Sequence, residues 1–326
     1  MSVHHLIESF ANLKILIIGD AMVDAYYFGN VERISPEAPV PIISVSKKNY
    51  RPGGAANVAL NIKSMGAKAI LCSVVGDDIE GQELINLINK EGIETKGVLI
   101  DPSRPTTMKT RVISGNHHLL RIDHETTRPL NEDLENQMIR FINENIDHID
   151  AIIMEDYNKG LLTARIIEEV ISMANKNNKP TIVDPKKENF FAYKNCTLFK
   201  PNRIEIKEGL KTDLDLSIYA NIEKCADKLV ELLGCKNVMV TLSEDGVFIK
   251  TAFQSSHINA HPRTIIDVSG AGDTVVSVAA LCLAAGMELT KMAEIANLAG
   301  GLVCEKVGVL PINTEELINE ITRLGL

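Results

Sequence analysis

The segment DVSGAGDT at residues 267–274, followed by an apolar run at residues 275–285, determines the fold that we expect. It predicts the end of a strand, a glycine turn and the first turn of a buried helix. Gly270 and Gly272 have no Cβ, so the backbone can come close to a ligand. The unpaired N–H groups and the dipole of a helix N-terminus favour a phosphate there. Asp273 is an acid at this anion site, and it either caps the helix or accepts a proton from a group that attacks the phosphate.

Composition and charge exclude several classes of protein. The 326 residues carry a formal charge of −9, whereas a general nucleic-acid binder usually has a basic excess. The six cysteines form no CxxC pair, so we expect reduced, buried thiols. Residues 1–10 lack the pattern of a signal peptide, and the apolar stretch at residues 275–287 is shorter than the roughly 20 residues of a membrane span. We therefore expect a cytoplasmic protein with no nucleic-acid or membrane partner.

Short apolar runs alternate with helical patterns along the chain. Buried strands are predicted at residues 13–18, 69–75, 151–154, 181–183, 197–199 and 237–241. This order predicts an α/β fold with a doubly wound, mostly parallel sheet flanked by helices. Two β-rich insertions, at about residues 24–50 and 98–123, predict a small lid. We expect one domain over residues 1–326.

Polar residues gather directly after the predicted strands, at the edge where open α/β sheets bind ligands. Asp20 and Asp24 follow the first strand, and they could instead be turn formers. The residues that follow the later strands are Asp156, Lys159, Asp184, Lys186, Asn202, Glu205, Thr241, Ser243 and Gly246. The first group suits a sugar, and the groups from residue 202 onward suit a phosphate.

A second glycine motif lies at residues 51–57 (RPGGAAN), before a predicted helix. Gly53 and Gly54 could turn backbone N–H groups toward a ligand, and Asn57 could bond to sugar hydroxyls. The alternative is a plain glycine turn with a solvated Asn.

The second insertion predicts a hairpin around residues 114–116. Lys109, Arg111 and Arg121 stand at alternate positions of its strands, so several can share one face. Such cations commonly protect a sheet edge. Here we favour contact with an anionic substrate.

Two nucleotide-binding patterns are missing, the P-loop GxxxxGK[ST] and a dinucleotide GxGxxG after the first strand. Both a Walker-type NTPase and a Rossmann dehydrogenase are therefore disfavoured. The histidines and cysteines lack zinc spacing, so a metal would be held by oxygen. Glu205 is the candidate for Mg²⁺, bound through water.

The sequence resembles the ribokinase/PfkB family of carbohydrate kinases. Residues 53–57 (GGAAN) and 267–274 match two family signatures. Residues 202–205 (NRIE) resemble the family's N-x-x-E element for Mg²⁺ and phosphate. Residues 241–246 (TLSEDG) resemble its T-x-G-x-x-G loop, with Ser243 where glycine is usual.

The resemblance implies a ribokinase-like fold, ATP and Mg²⁺ as cofactors, and a K⁺ site. Asp273 would take the proton of the attacking sugar hydroxyl, and the catalytic loop would hold the migrating phosphoryl group through Gly270, Ala271 and Gly272. The implied substrate-binding residues are Asp20, Asp24, Arg51, Gly53, Gly54, Asn57, Lys109, Arg111, Arg121, Asp156 and Lys159. The implied nucleotide-side residues are Asp184, Lys186, Asn202, Glu205, Thr241, Ser243, Gly246, and Asn297 and Gly300 at a late helix start. Asp267 and Gly308 would form the monovalent-cation site.

Within the family, residues 34–41, 109–113, 119–123 and 156–160 resemble the branch that acts on D-glycero-β-D-manno-heptose 7-phosphate. This branch makes heptose 1,7-bisphosphate for ADP-heptose and the lipopolysaccharide core. Some members carry a nucleotidyltransferase domain after the kinase, and we expect none here because the sequence ends at Leu326. Which of the basic residues would hold the 7-phosphate stays open.

Two other functions stay open at this point. One is a kinase of the same family for another sugar phosphate, such as fructose 6-phosphate. The other is a non-catalytic sensor that binds a sugar or a nucleotide. The edge strands of the lid also predict a homodimer.

Overall fold

The structure is a computed structural model and describes residues 3–115 and 117–326. In this part of the chain the strands are β1 (Lys14–Gly19), β2 (Ala21–Ile34), β3 (Pro41–Gly54), β4 (Lys68–Val75), β5 (Glu94–Ile100), β6 (Met108–Ser114), β7 (His117–His124), β8 (Ala151–Glu155), β9 (Thr181–Asp184), β10 (Leu198–Phe199), β11 (Asn237–Thr241), β12 (Val247–Lys250) and β13 (Ser255–Ile258). The α-helices are α1 (Val3–Ser9), α2 (Ala55–Ser64), α3 (Ile79–Lys90), α4 (Glu132–Asn145), α5 (Ala164–Lys176), α6 (Arg203–Leu210), α7 (Tyr219–Leu233), α8 (Ala271–Ala284), α9 (Leu289–Val303) and α10 (Thr314–Leu324).

The large sheet has the strand order β13-β12-β11-β10-β9-β8-β1-β4-β5. Its strands pair in parallel from β11 to β5, and β12 and β13 add an antiparallel edge. The predicted doubly wound, mostly parallel sheet is therefore confirmed. The chain reverses its winding between β1 and β8, so the loops after these two strands flank the point where such sheets bind ligands.

The core has a layer on each face of this sheet. Ile15 and Ile17 of β1 belong to the layer that includes α2, α8 and α9, while Leu16 and Ile18 belong to the layer that includes α4, α5 and α7. Successive strand residues point to opposite faces, so a strand buried on both faces must be apolar at every position. All six cysteines are buried and free, as predicted. No helix in the described chain is long and apolar enough to cross a membrane.

The lid is a separate small sheet with the order β3-β2-β6-β7. Strand β2 begins at Ala21, three residues before the predicted insertion. The predicted start of the second insertion, at residue 98, is wrong, because β5 pairs in parallel with β4 and belongs to the large sheet. The predicted hairpin is confirmed by the antiparallel pairing of β6 with β7. Its turn residue Asn116 lies outside the described residues.

The segment before α8 differs from the prediction of a strand end. Residues 259–270 contain no strand, and the backbone N–H groups of Ile266 and Asp267 donate instead to the carbonyl of Cys304. Ile265, Ile266 and Val268 are largely exposed, so this apolar stretch lacks the burial that favours a central strand. Gly270 then adopts a φ of +82°, which a residue with a Cβ rarely accepts, and α8 begins.

Candidate active site

Asp273 lies in the first turn of α8 and is only 5% exposed. Its Oδ2 accepts a hydrogen bond from the side-chain amide of Asn57 at 2.6 Å, and its Oδ1 accepts one from the hydroxyl of Tyr157 at 2.9 Å. Burial raises the pKa of Asp273 from 3.8 to about 6, although these two hydrogen bonds oppose the rise. A carboxylate with a pKa near neutrality is suited to general-base catalysis.

The alternative that Asp273 caps α8 is wrong. The N-cap residue is Gly270, which makes no side-chain cap hydrogen bond. Both oxygens of Asp273 accept instead from side chains, those of Asn57 and Tyr157.

A cavity of about 790 Å³ opens beside Asp273. Its lining brings together the catalytic loop and every residue predicted for the nucleotide side: Asp184, Lys186, Asn202, Glu205, Thr241, Ser243, Gly246, Gly270, Ala271, Gly272, Asp273, Asn297 and Gly300. The volume suits a small-molecule ligand.

Two lysines bring positive charge to this cavity. Lys200 follows β10 and lies 2.9 Å from Oδ2 of Asp184, with both side chains buried. Lys186 follows β9 and lies 2.5 Å from Oε1 of Glu205. Burial alone would lower the pKa of Lys186, but the nearby charges of Asp184 and Glu205 raise it above its ordinary value. Burial likewise opposes, and the charges of Asp184 and Glu205 produce, a raised pKa at Lys200. Both side chains therefore stay cationic, and they can stabilise a phosphate.

Glu205 also completes a capping box at the start of α6. Its Oε2 accepts from the backbone N–H of Asn202, whose side chain accepts in turn from the backbone N–H of Glu205. In the described chain no group of three or more His, Cys, Asp or Glu side chains could hold a metal. The oxygen donor of Glu205 at the cavity wall nevertheless suits Mg²⁺, which keeps most of its water and binds few protein ligands.

The loop after β11 takes the conformation that its glycine pattern predicts. Ser243 has a φ of +56°, in the left-handed region, which explains why glycine would be usual there. Thr241 at the end of β11 bridges to Asn202, so the two predicted phosphate elements lie side by side.

Asn297 and Gly300 lie inside α9, so their predicted place at a helix start is wrong. Both still line the cavity. The side-chain amide of Asn297 donates to the carbonyl of Asn259 at 3.0 Å. Gly300 faces Val275, which leaves no space there for a larger side chain.

Asp20 holds a backbone loop. Its carboxylate accepts from the N–H groups of Tyr157 at 2.9 Å, Lys159 at 3.0 Å and Leu161 at 3.3 Å. Burial raises the pKa of Asp20 to about 6, although the hydrogen bond from Lys159 opposes the rise. Asp156, predicted with it, accepts from Tyr193 Oη at 2.6 Å and from the N–H of Asn158. Sugar contacts by these two aspartates stay predictions.

The glycine pair lies at the end of β3 and is needed for packing. A Cβ on Gly53 would come within 2.2 Å of Asp24, and one on Gly54 within 2.4 Å of the carbonyl of Asp20. Asn57, on the first turn of α2, is fully buried and contacts Asp273. Its other amide atom, Oδ1, has no partner among the described residues.

The lid cations share one face, as predicted, because Arg111 lies opposite Arg121 and Lys109 opposite Asp123. Each contacts an acid. Arg111 pairs with Asp24, and Arg121 pairs with Asp123 at 2.8 Å. Lys109 contacts Asp123 at 3.1 Å.

Glu125 joins the lid to the loop after β8. It lies 2.8 Å from both Lys109 and Lys159. Burial alone would raise the pKa of Glu125, but the hydrogen bonds from the two lysines hold it below its ordinary value. Four of the five basic residues predicted for the substrate phosphate are thus ion-paired.

The fifth, Arg51, contacts the loop of the predicted cation site. It donates to the carbonyl of Val309 at 2.9 Å. In that loop the N–H of Gly308 donates to Oδ2 of Asp267 at 2.8 Å, and the N–H of Ser269 donates to Oδ1 at 2.9 Å. The two segments predicted to share a monovalent cation are therefore in contact.

Three site residues were missed from the sequence. Lys200 and Tyr157 lie just after the carboxyl ends of β10 and β8. This position could have identified them as site residues from the sequence. Glu155, the last residue of β8, is 1% exposed, and its Oε2 has no partner among the described residues. Burial, followed by the charges of Asp184 and Asp273, raises the pKa of Glu155 well above its ordinary value.

Comparison with known proteins identifies the family. The model of the pfkB family carbohydrate kinases matches residues 12–315. The chain belongs to this family. It is therefore a carbohydrate kinase by family, which is a class of phosphotransferase, and the matched range includes both of the signatures that the sequence analysis singled out.

Curated relatives are similar over most of the chain. It is 41% identical over 304 residues to the bifunctional protein HldE of Helicobacter pylori strain J99, covering 93% of this chain and 65% of that protein. It is 38% identical over 312 residues to the bifunctional protein HldE of Desulfatibacillum aliphaticivorans, covering 95% of this chain and 63% of that protein. The chain thus spans a little under two-thirds of these pfkB relatives.

Solved structures show that the fold is ribokinase-like. Phosphofructokinase-2 from Escherichia coli in complex with potassium has a TM-score of 0.79 at 21% identity, covering 96% of this chain and 100% of that one. Ribokinase from Arabidopsis thaliana complexed with ribose and ATP has a TM-score of 0.72 at 18% identity, covering 94% and 98%. The large sheet with its small lid is the architecture that this pfkB chain shares with them.

Proposed function

We propose that this chain is an ATP-dependent kinase that phosphorylates D-glycero-β-D-manno-heptose 7-phosphate at its anomeric hydroxyl. The observation that carries the proposal is Asp273, a buried carboxylate that lines a cavity with two lysines and contacts Asn57 from the glycine motif at the base of the lid. The resemblance of residues 34–41 and 156–160, together with the similarity to HldE proteins, supports the heptose substrate. The product, heptose 1,7-bisphosphate, would serve ADP-heptose and lipopolysaccharide core synthesis.

In the proposed reaction Asp273 accepts the proton of the sugar hydroxyl. The freed oxygen forms a bond to the γ-phosphorus of ATP, and the bond from that phosphorus to the bridging oxygen breaks, so ADP leaves with the electron pair. Backbone N–H groups at Gly270, Ala271 and Gly272 hold the phosphoryl oxygens, that of Ala271 in exchange for its 3.3 Å bond to the carbonyl of Val268. Lys186 and Lys200 stabilise the phosphoryl charge.

Mg²⁺ and K⁺ complete the proposal. Glu205 would hold Mg²⁺ through water, and the ion when bound neutralises phosphate charge. Asp267 and Gly308, which are in contact, would contribute to a K⁺ site. The potassium complex of the similar phosphofructokinase-2 structure supports K⁺ as the ion. The lid cations, of which Lys109 and Arg111 are the most buried, would bind the 7-phosphate by exchanging their acidic partners for it.

We also propose a single kinase domain that acts in the cytoplasm as a homodimer. The lid face opposite its cations is apolar and exposed at Leu120 and Ile122. Such a face suits pairing with a second copy across a two-fold axis.

A coupled assay of ADP release over a panel of sugar phosphates tests the substrate. Heptose 7-phosphate should give the highest kcat/KM, above fructose 6-phosphate. Turnover of another sugar phosphate without turnover of the heptose would reassign the substrate within the family. Binding of ATP and sugar phosphate without turnover of any would favour the sensor.

A further inference from the structure

Tyr157 connects the two sides of the site, and the reaction proposed above gives it no role. Its hydroxyl lies 2.9 Å from Oδ1 of Asp273, and Nζ of Lys186 lies 5.5 Å from the centre of its ring. Its backbone N–H donates to Asp20 at 2.9 Å. The backbone, the ring and the hydroxyl of Tyr157 are thus each held by a separate contact.

We propose that Tyr157 is a positioning residue whose hydroxyl holds the Asp273 carboxylate in the orientation that receives the sugar proton, while Lys186 steadies the ring. The inference rests on the proposed function, in which Asp273 is the base. It deepens that function by naming a residue that acts through the base.

The geometry of the carboxylate supports this role. Asn57 holds only Oδ2, so with that bond alone the carboxylate of Asp273 could still tilt away from the sugar. The bond from Tyr157 to Oδ1 fixes the second oxygen. Each oxygen can accept a further hydrogen bond, so the sugar hydroxyl still has a place to donate.

Tyr157 donates to the ionised carboxylate in this contact. Burial, followed by the negative charge of Asp273, raises the pKa of Tyr157 well above its ordinary value of 10.0, so the phenol stays protonated. A permanent donor beside a buried acid favours the charged form of that acid.

The other charged groups around Asp273 come from neighbouring strands. Asp184 at the end of β9 and Glu155 at the end of β8 are acids, and Lys200 after β10 and Lys186 after β9 are cations. Burial and Asp184 raise the pKa of Asp273, whereas the bonds from Asn57 and Tyr157 and the charge of Lys200 lower it. Loss of the Tyr157 hydroxyl should therefore move the acid limb of the pH–rate profile to higher pH.

The chain supplies a matched control in Tyr193. Tyr193 is buried, whereas Tyr157 is half-buried, and the hydroxyl of Tyr193 donates to Oδ2 of Asp156 at 2.6 Å. Tyr193→Phe therefore also removes a tyrosine–aspartate hydrogen bond, at a site away from Asp273.

The experiment compares Tyr157→Phe, Tyr193→Phe and Asp273→Asn in the full chain, with Mg-ATP and the best sugar phosphate of the panel. Tyr157→Phe should lower kcat by about 10- to 100-fold, because a small misplacement of a reacting group can cost as much. The KM for ATP should stay nearly unchanged. The acid limb of its pH–rate profile should shift to higher pH. Tyr193→Phe should lower thermal stability without moving the acid limb.

Three results would count against the inference or its basis. If Tyr157→Phe keeps the wild-type kcat and acid limb while Asp273→Asn is inactive, Tyr157 does not have the proposed role. The proposed function would still stand. Lost activity with an unmoved acid limb would make Tyr157 merely structural. An active Asp273→Asn would instead refute the base. If Tyr157→Phe does not fold, replacement of Tyr157 by 3-fluorotyrosine, a more acidic phenol that keeps the ring and donates more strongly, should move the acid limb to lower pH, and an unmoved limb would contradict the proposal.

Discussion

The side-chain amide of Asn57 lies 2.6 Å from the carboxylate of Asp273, although 216 residues separate them in the chain. This contact joins the two glycine motifs, one at the end of β3 and one before α8. The free atom of the same amide, Oδ1, has no partner among the described residues. Asn57 can therefore rotate its amide and offer an acceptor in place of a donor.

Asp273→Asn should abolish most turnover without unfolding the protein. Loss of a general base typically costs roughly 10²- to 10⁴-fold in rate. The fold should persist because a rotated Asn57 amide can accept from the carboxamide N–H group that the substitution introduces, and Tyr157 can still donate. Steady-state ADP release measures the first effect, and calorimetric titration with ADP should give nearly wild-type affinity. Turnover close to wild type would refute the base.

The same substitution should change how stability depends on pH. The pKa of Asp273 is raised by burial from 3.8 to about 6, so the native state binds the proton more tightly than the unfolded state. The free energy of unfolding therefore falls as pH rises between these two pKa values, because ionised Asp273 is less favourable in the native state. The loss reaches up to about 3 kcal/mol, at about 1.36 kcal/mol per pKa unit. Urea unfolding should show that the free energy of unfolding of Asp273→Asn increases relative to that of wild type as pH rises from below 3.8 to above 6. A pH-independent difference would contradict the raised pKa.

The lid ion pairs should differ sharply in their contribution to stability. Arg111 pairs with the buried Asp24, whereas Arg121, opposite it in the hairpin, pairs with Asp123 and has a side chain that is 52% exposed. Arg111→Ala leaves a buried charge unpaired and should cost about 3–5 kcal/mol. Arg121→Ala should cost less than about 1 kcal/mol. Chemical denaturation of both variants checks this, and equal losses would contradict the burial argument.

Ser243→Gly should stabilise the protein slightly. Ser243 has a φ of +56°, and the left-handed region costs a residue with a Cβ roughly 1–2 kcal/mol. The greater entropy that glycine loses on folding offsets part of this gain, so we expect less than about 1 kcal/mol in urea unfolding. Ser243→Ala keeps the Cβ and serves as the control. Destabilisation by glycine would mean that the Ser243 side chain holds the loop.

The apolar lid face should control assembly. Replacing Leu120 and Ile122 by Glu should convert the proposed dimer into a monomer at micromolar concentration, because charges on a buried apolar interface are costly to desolvate. Light scattering after gel filtration measures the mass. Ile79→Glu, at an 85% exposed site on α3, is the control and should leave the mass unchanged. A wild-type monomer would refute the dimer.

Local sequence predicted the large sheet well because a strand buried on both faces needs an unbroken apolar run. The run at Ile15 and Ile17 is such a case. The prediction failed before α8, where Ile265, Ile266 and Val268 stay exposed and residues 259–270 form no strand. It also missed β13 itself, whose polar residues Ser255 and His257 give no apolar signal.

The sequence by itself determined the family, through two glycine motifs whose backbone requirements leave little choice of residue. It also placed Asp273 at a helix N-terminus beside an anion site. Only the tertiary structure decided between cap and base, because that depends on which groups approach the carboxylate. Those groups, Asn57 and Tyr157, come from distant segments that meet only when α2, α8 and the loop after β8 pack together.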